Sequence, residues 1–257
     1  MKPVVLSVLS FGLMFGSAAF AADESSEGLP PVRIAIPVFD DDPANGIEHP
    51  LVEFVRTWGP LTGRELVIER FPFKRSLRLA VNGEVDFHFP LIRDPDLDSG
   101  ELPFAYSSER ITTINFVLYS RTGETLDLSQ PDKLRLATHS GHANLFSFDL
   151  EEDFSVEGSL MKLKSGRIDG YIFADNAADP LIQELGLTGI QRQLYKVYDV
   201  HAVLERSDRG DEADEFITQA MIKARQGELS AYAKGIPYSN WQPDELVAAP
   251  SRLERAD

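Results

Sequence analysis

The sequence predicts an α/β fold with two similar lobes, each a β-sheet covered by helices. The main observation is a pattern that occurs twice, as SLRLAVNGEVDFHF at Ser76–Phe89 and as SLMKLKSGRIDGYI at Ser159–Ile172. In each copy, apolar residues at helical spacing precede a glycine, an apolar residue, an aspartate and a β-prone run. This order is typical of a helix that ends at a left-handed glycine and turns directly into a strand. Elsewhere, predicted strands alternate with predicted helices, as expected of sheets with helices on both faces.

The other predicted elements follow from periodicity and from turn residues. Apolar residues from Leu51 to Trp58 fall at helical spacing, with Pro50 before them and Gly59 and Gly63 after them, which indicates one helix. Two further helices are predicted at Asn144–Leu150 and Asp211–Gln226, and another runs from near Asp175 to Leu185. The strands outside the repeat are predicted at Val32–Val38, Leu66–Phe71, Ile114–Tyr119, Leu134–Thr138 and Lys196–Leu204.

The repeat and the order of these elements resemble the small type II periplasmic solute-binding proteins, which deliver amino acids and similar solutes to transporters. In that family each lobe carries a helix that ends G-x-[apolar]-D before a strand, as at Gly83–Asp86 and Gly166–Asp169. The resemblance covers Val32 to about Gly235. It implies two crossing strands that form a hinge, lobe 1 at residues 32–116, lobe 2 at 117–199, and a return to lobe 1 with a C-terminal tail at 200–257.

The N-terminal residues have the pattern of a secretory signal peptide. Lys2 supplies the positive charge, Val4–Phe15 the apolar core, and Ala19–Ala21 a small-x-small cleavage site. The apolar run is too short to span a membrane, and no cysteine is present to carry a lipid. Residues 22–31 are polar, end in two prolines and indicate a flexible leader. We therefore expect a cleaved protein, not lipid-anchored, in the periplasm.

Composition limits the classes of partner. The chain has 41 acidic and 25 basic residues, a formal net charge of −16, which argues against nucleic acid and anionic membrane surfaces as partners. The absence of cysteine excludes disulfides. The resemblance implies a small-molecule solute and the permease of an inner-membrane transporter as partners. We expect a monomer without a cofactor.

Candidate binding residues lie in the loops that follow the predicted strands, because ligands of open α/β sheets bind beyond the carboxyl ends of the strands. Phe39 and Asp40 follow the first strand, and Phe73 follows the second. The two aromatic rings either stack on a ligand or pack in the core. In lobe 2 the candidates are His139, Ser140 and His142 after one strand, and Asp175 after another.

The resemblance implies an arginine for a ligand carboxylate. Arg93 lies near the position where amino-acid binders of the family carry an arginine that binds the carboxylate through two hydrogen bonds. The family's usual Thr-x-x-Arg context is missing here, and Arg110 is the alternative.

The resemblance also implies two contacts from lobe 2. The loop His139–His142 matches one that holds a carboxylate with backbone amides, and the helix predicted after it adds the attraction of a helix N-terminus for an anion. Alternatively, Ser140 only caps that helix. Asp175 matches the aspartate that pairs with a ligand ammonium; its alternative role is the N-cap of a helix that starts at Ala177.

The sequence therefore predicts a non-catalytic periplasmic binding protein for a small polar solute, an amino acid or a related carboxylate. Three alternatives stay open. The fold is also used by a few dehydratases, and an accessory or sensor-delivery protein is a second possibility. A metal site of His139, His142, Asp175 and His88 is the third, although His139 and His142 have i,i+3 rather than the usual helical i,i+4 spacing and the four residues are not contiguous.

Overall fold

The computed structural model describes residues 29–38, 49–94, 99–227, 233–235 and 238. The described residues from Pro31 onward belong to one compact unit. Phe39, Asp40 and the predicted signal peptide lie outside the described residues. Within the described part, none of the helices combines the length and the apolar character needed to cross a membrane.

Nine strands and six α-helices occur in the described residues. The strands are β1 (Val32–Pro37), β2 (Leu66–Phe71), β3 (Phe87–Arg93), β4 (Ala105–Tyr106), β5 (Thr112–Arg121), β6 (Leu136–His139), β7 (Glu151–Asp153), β8 (Gly170–Ala174) and β9 (Ile190–Leu204). The helices are α1 (Pro50–Arg56), α2 (Trp58–Thr62), α3 (Phe73–Val81), α4 (Val156–Lys164), α5 (Asp175–Glu184) and α6 (Asp208–Gln226).

The strands form one sheet in the order β2-β1-β3-β9-β5-β8-β6-β7, with β4 paired to β9. At one end β1, β2 and β3 are parallel, and at the other end β6, β7 and β8 are parallel. Between them β9 is antiparallel to β3 and β5, and β5 is antiparallel to β8. Each end thus has three parallel strands beside the same two long strands. The predicted two-lobed α/β fold is confirmed, with β5 and β9 as its crossing strands.

Each lobe has its own hydrophobic core. In lobe 1, which contains β1 to β3, the fully buried Trp58 packs its ring 6.1 Å from Phe87 and 6.4 Å from Phe216 of α6. In lobe 2, which contains β6 to β8, Phe116 packs 5.8 Å from Phe173 and 5.0 Å from Tyr198. The exact residue limits proposed for the lobes stay predictions.

The repeat has the same structure in both lobes. The glycine after each helix has a left-handed φ, 68° at Gly83 after α3 and 71° at Gly166 after α4. Each repeat aspartate then binds the backbone at the start of the neighbouring parallel strand. The Asp86 carboxylate accepts the Arg33 N–H at 2.7 Å, and the Asp169 carboxylate accepts the Arg135 N–H at 2.8 Å.

Two of the predicted helices differ from the structure, one in its continuity and one in its existence. The helix expected over residues 51–58 is divided at Thr57 into α1 and α2. The helix expected at Asn144–Leu150 is only a 3₁₀ turn, Ala143–Leu145, followed by the edge strand β7. Its Leu145 carbonyl accepts a hydrogen bond from the Tyr198 hydroxyl at 3.0 Å instead of continuing a helix. Lobe 2 therefore begins with two consecutive strands.

Candidate functional site

The carboxyl ends of the parallel strands in the two lobes face each other across the crossing strands. Arg93, the last residue of β3, pairs with Asp199 of β9, which pairs with Thr113 of β5. Ala174, the last residue of β8, pairs with Phe116 of β5. Because β3 and β8 run in opposite directions, their ends point toward each other. They are three residues apart along β5, or about 10 Å at roughly 3.3 Å per residue. This gap is the candidate site.

Lobe 1 places Phe73 and Arg93 at this edge. Phe73 is the first residue of α3, is 46% exposed, and its ring meets the His88 ring edge-on at a centroid distance of 5.4 Å. Arg93 is exposed, and its guanidinium lies 5.8 Å from the centre of the Tyr106 ring. Both residues therefore lie at the lobe 1 edge of the candidate site.

Arg110 and His88 each contact a side chain of the protein itself. The Arg110 guanidinium pairs with Asp199 at 3.3 Å. His88 is fully buried in lobe 1, with Nδ1 2.7 Å from the Ser76 hydroxyl, and burial lowers the pKa of its imidazole to about 4. Among the described residues, no three acidic or histidine side chains are grouped so that they could hold a metal ion.

The loop His139–His142 packs its histidine rings near Phe173 and is hydrogen-bonded to β7. The His139 and His142 rings lie 5.0 and 5.2 Å from the Phe173 ring, and burial lowers the pKa of His142. The Ser140 N–H donates to the Asp153 carbonyl at 2.8 Å. Since only a 3₁₀ turn follows, the helix N-terminus expected to attract an anion here is absent, and that expectation is wrong.

Asp175 lies at the predicted edge, as the first residue of α5 rather than as its N-cap, which is Ala174. Its carboxylate accepts a hydrogen bond from the Asn115 amide at 3.0 Å and pairs with Arg192 at 3.5 Å. The Arg192 side chain is only 1% exposed. The aspartate expected to bind a ligand ammonium thus already has a buried cation of its own chain beside it.

A second aspartate extends this cluster. Asp179 pairs with Arg192 at 3.0 Å and accepts a hydrogen bond from the Tyr119 hydroxyl at 2.6 Å. Burial raises the pKa of Asp179 to about 6, against the opposing effects of Tyr119 and Arg192. The sequence analysis missed Arg192, Asp179 and Tyr119. The one local signal was the spacing of Asp175 and Asp179, which places both on the same face of α5.

One further exposed residue was not predicted from the sequence. Phe154, directly after β7, is 87% exposed, the largest exposure of any large hydrophobic residue in the described part. Two surface cavities lie elsewhere. One, of about 500 Å³, lies between α2 and β2, and one of about 300 Å³ lies around Phe146 and Phe148.

Comparisons with known proteins give structural neighbours only. No protein-family model and no curated protein matches the chain. A histidine kinase sensor domain with similarity to periplasmic binding proteins matches with a TM-score of 0.61 at 14% identity, covering 79% of this chain and 93% of the domain. A putative binding component of an ABC transporter from Wolinella succinogenes, complexed with lysine, has a TM-score of 0.58 at 15% identity over 77% and 93% of the two chains.

An ancestral arginine-binding protein bound to arginine also matches, with a TM-score of 0.57 at 10% identity over 77% of this chain and 94% of that one. At such low identity these likenesses establish the fold. The chain has the two-lobed fold of type II periplasmic binding proteins.

Proposed function

We propose that the protein binds a small solute between its two lobes in the periplasm and delivers it to an inner-membrane transporter. The observation that carries this proposal is the opposition of the two sets of strand ends, about 10 Å apart along β5. Ligands of α/β sheets bind at such ends. A solute held there is in reach of both lobes, and contacts from both sides stabilise closure about the crossing strands.

The candidate residues supply contacts of two kinds. Phe73 offers an exposed aromatic face and Arg93 an exposed guanidinium from lobe 1. His139, Ser140 and His142 offer polar groups from lobe 2. This mixture of a few polar groups with aromatic surface is common in small-molecule sites. The structural neighbours named above are binding proteins or a sensor domain, which supports a non-catalytic role.

A sensory role is the second candidate, because one neighbour is the sensor domain of a histidine kinase. In this role the closed, solute-bound form would bind a signalling partner instead of a permease. Both roles require the same solute site, and they differ only in the protein that recognises the closed form.

Mass spectrometry of solute released from freshly purified, denatured protein tests solute binding. We expect one small molecule at near-stoichiometric amount, and its re-addition should raise the melting temperature. Arg93→Ala should weaken its binding roughly tenfold to a hundredfold, since a hydrogen bond to a charged group is worth about 1.5 to 3 kcal/mol.

Arg167→Ala is the matched control, because Arg167 is an exposed arginine between α4 and β8, at the opposite end of β8 from the site. Wild-type affinity in Arg93→Ala, or an equal loss in the control, would place the site elsewhere. Conversion of the added solute into a new product would instead indicate a hydro-lyase.

A further inference from the structure

We infer that the site is built for an organic anion with an apolar body, a carboxylate without an ammonium group, rather than for an amino acid. This inference rests on the proposed solute-binding function and names the chemical class of the solute. It follows from three features of the strand ends that face the gap: the carboxylates of lobe 2, the cations of lobe 1, and exposed apolar side chains on both.

The described carboxylates at the strand ends of lobe 2 all bind groups of their own chain. Asp175 pairs with Arg192 at 3.5 Å. Asp153, at the end of β7, pairs with the Lys162 ammonium at 2.5 Å, and Glu152 accepts the Gly141 N–H at 2.8 Å. If a ligand ammonium paired with one of these carboxylates, the protein donor that now binds the carboxylate would lose its partner. The loss costs free energy, and the cost is large when the donor is as buried as Arg192.

Lobe 1 has basic side chains after two of its parallel strands. The first turn of α3, directly after β2, contains Lys74 and Arg75, both exposed, and no acidic residue. Each of the other helices longer than five residues has an acidic residue in its first turn, as the helix dipole favours. Basic residues at a helix N-terminus are unfavourable in isolation, and an anion placed there removes the conflict. Arg93 adds a third cation at the end of β3.

Apolar side chains are exposed at the same strand ends. Val38 follows β1 and is 62% exposed, Phe73 follows β2, and Phe154 follows β7. β2 and β7 are the two edge strands, so the two phenylalanines follow the outermost parallel strand of each lobe. Phe154 precedes the N-cap Ser155, but the residue it would pack against in a hydrophobic staple is the buried, polar Ser159. Phe154 therefore does not form a hydrophobic staple with the helix that follows it.

Isothermal titration of the full chain after exhaustive dialysis tests the class with two matched pairs of probes. Hydrocinnamate and L-phenylalanine share a carboxylate and a carbon skeleton and differ only in the α-ammonium, and isocaproate and L-leucine form the aliphatic pair. We expect the carboxylate of at least one pair to bind at least about tenfold more tightly than its amino acid, equivalent to about 1.4 kcal/mol. Equal or tighter binding of the amino acids overturns the inference.

Variants then locate the contacts. Arg75→Ala should weaken the better carboxylate about tenfold, as expected for a charge-assisted contact, whereas Arg78→Ala, one turn further along the exposed face of α3, should leave it unchanged. Phe154→Ser should also weaken it, whereas Met161→Ser on the outer face of α4 should not. Equal effects of the test and control variants contradict the inference.

Two outcomes separate the inference from the proposed function. If an amino acid binds and Asp40→Asn abolishes its binding, the acidic loop after β1 holds an ammonium, so the inferred class is wrong while solute binding stands. If none of the four probes binds, the class is again wrong, and solute binding is decided by the released-solute experiment alone.

Discussion

The buried imidazole of His88 should make the stability of the protein depend on pH between about 6.5 and 4. Burial lowers its pKa from 6.5 to about 4 in the folded state, while Nδ1 stays 2.7 Å from the Ser76 hydroxyl. Above pH 6.5 the imidazole is neutral in both the folded and the unfolded chain and has no linkage effect. As the pH falls below 6.5 the unfolded chain binds the proton first, so the free energy of unfolding decreases until the folded imidazole also titrates.

The size of the effect follows from the two pKa values. Their difference, at about 1.4 kcal/mol per pH unit, corresponds to roughly 3 kcal/mol of stability lost between pH 6.5 and 4. His142 and His201 also have lowered pKa values because of burial, so the wild-type curve contains their contributions too. The informative quantity is therefore the difference in the free energy of unfolding between wild type and His88→Asn at each pH. In this variant the amide nitrogen takes the place of Nδ1 beside Ser76.

Urea unfolding at a series of pH values measures this difference. His88→Asn should be less stable than wild type at pH 7 because of the smaller side chain, and should lose less stability than wild type on acidification to pH 4. His201→Asn, at a histidine that is also nearly buried, is the matched control and should keep most of the wild-type pH dependence. Parallel curves for wild type and His88→Asn would refute the assignment of a strongly lowered pKa to His88.

Two further predictions concern packing and the buried charge cluster. Tyr119→Phe removes the donor to the half-buried Asp179 carboxylate and should lower the free energy of unfolding by about 1 to 3 kcal/mol, as read by urea melts; an unchanged midpoint would contradict this. Gly170→Ala places a methyl group 2.8 to 2.9 Å from three leucine side chains and should cost about 1 to 3 kcal/mol. In the control Gly158→Ala the added methyl group lies 3.4 Å from the Ser155 side chain, an ordinary van der Waals contact. This helical substitution should stabilise by about 0.5 to 1 kcal/mol, and destabilisation of similar size in both variants would contradict the packing argument.

Features determined by local chemistry could be predicted from the sequence. The repeat identified two helices that end at left-handed glycines, because glycine adopts that conformation at little cost within the turn itself. The strand Leu66–Phe71 was predicted at its observed limits for a similar reason, since its β-prone residues lie between turn residues. The backbone partners of the two repeat aspartates, Arg33 and Arg135, are 53 and 34 residues away and were not predicted.

Features that depend on distant partners could not be predicted. Residues 144–150 were predicted to be helical, but Tyr198, 53 residues from Leu145, binds the backbone there and a strand follows. The surroundings of Asp175 are likewise made by Asn115, 60 residues away, and by Arg192 on the returning crossing strand. Sequence reasoning thus found the position of this carboxylate at the site but not the cation that neutralises it.

The central claim is that the two lobes close on a solute, and the distance between them tests it most directly. The chain has no cysteine, so Arg78→Cys in α3 and Lys164→Cys in α4, both exposed, can carry the only two spin labels. The pair Glu53→Cys and Arg78→Cys, within lobe 1, serves as the control. Adding back the solute released from the purified protein should shorten the interlobe distance by more than about 2 Å, as in hinge closure, and leave the control unchanged. An unchanged interlobe distance, with calorimetry showing the solute bound, would contradict the claim.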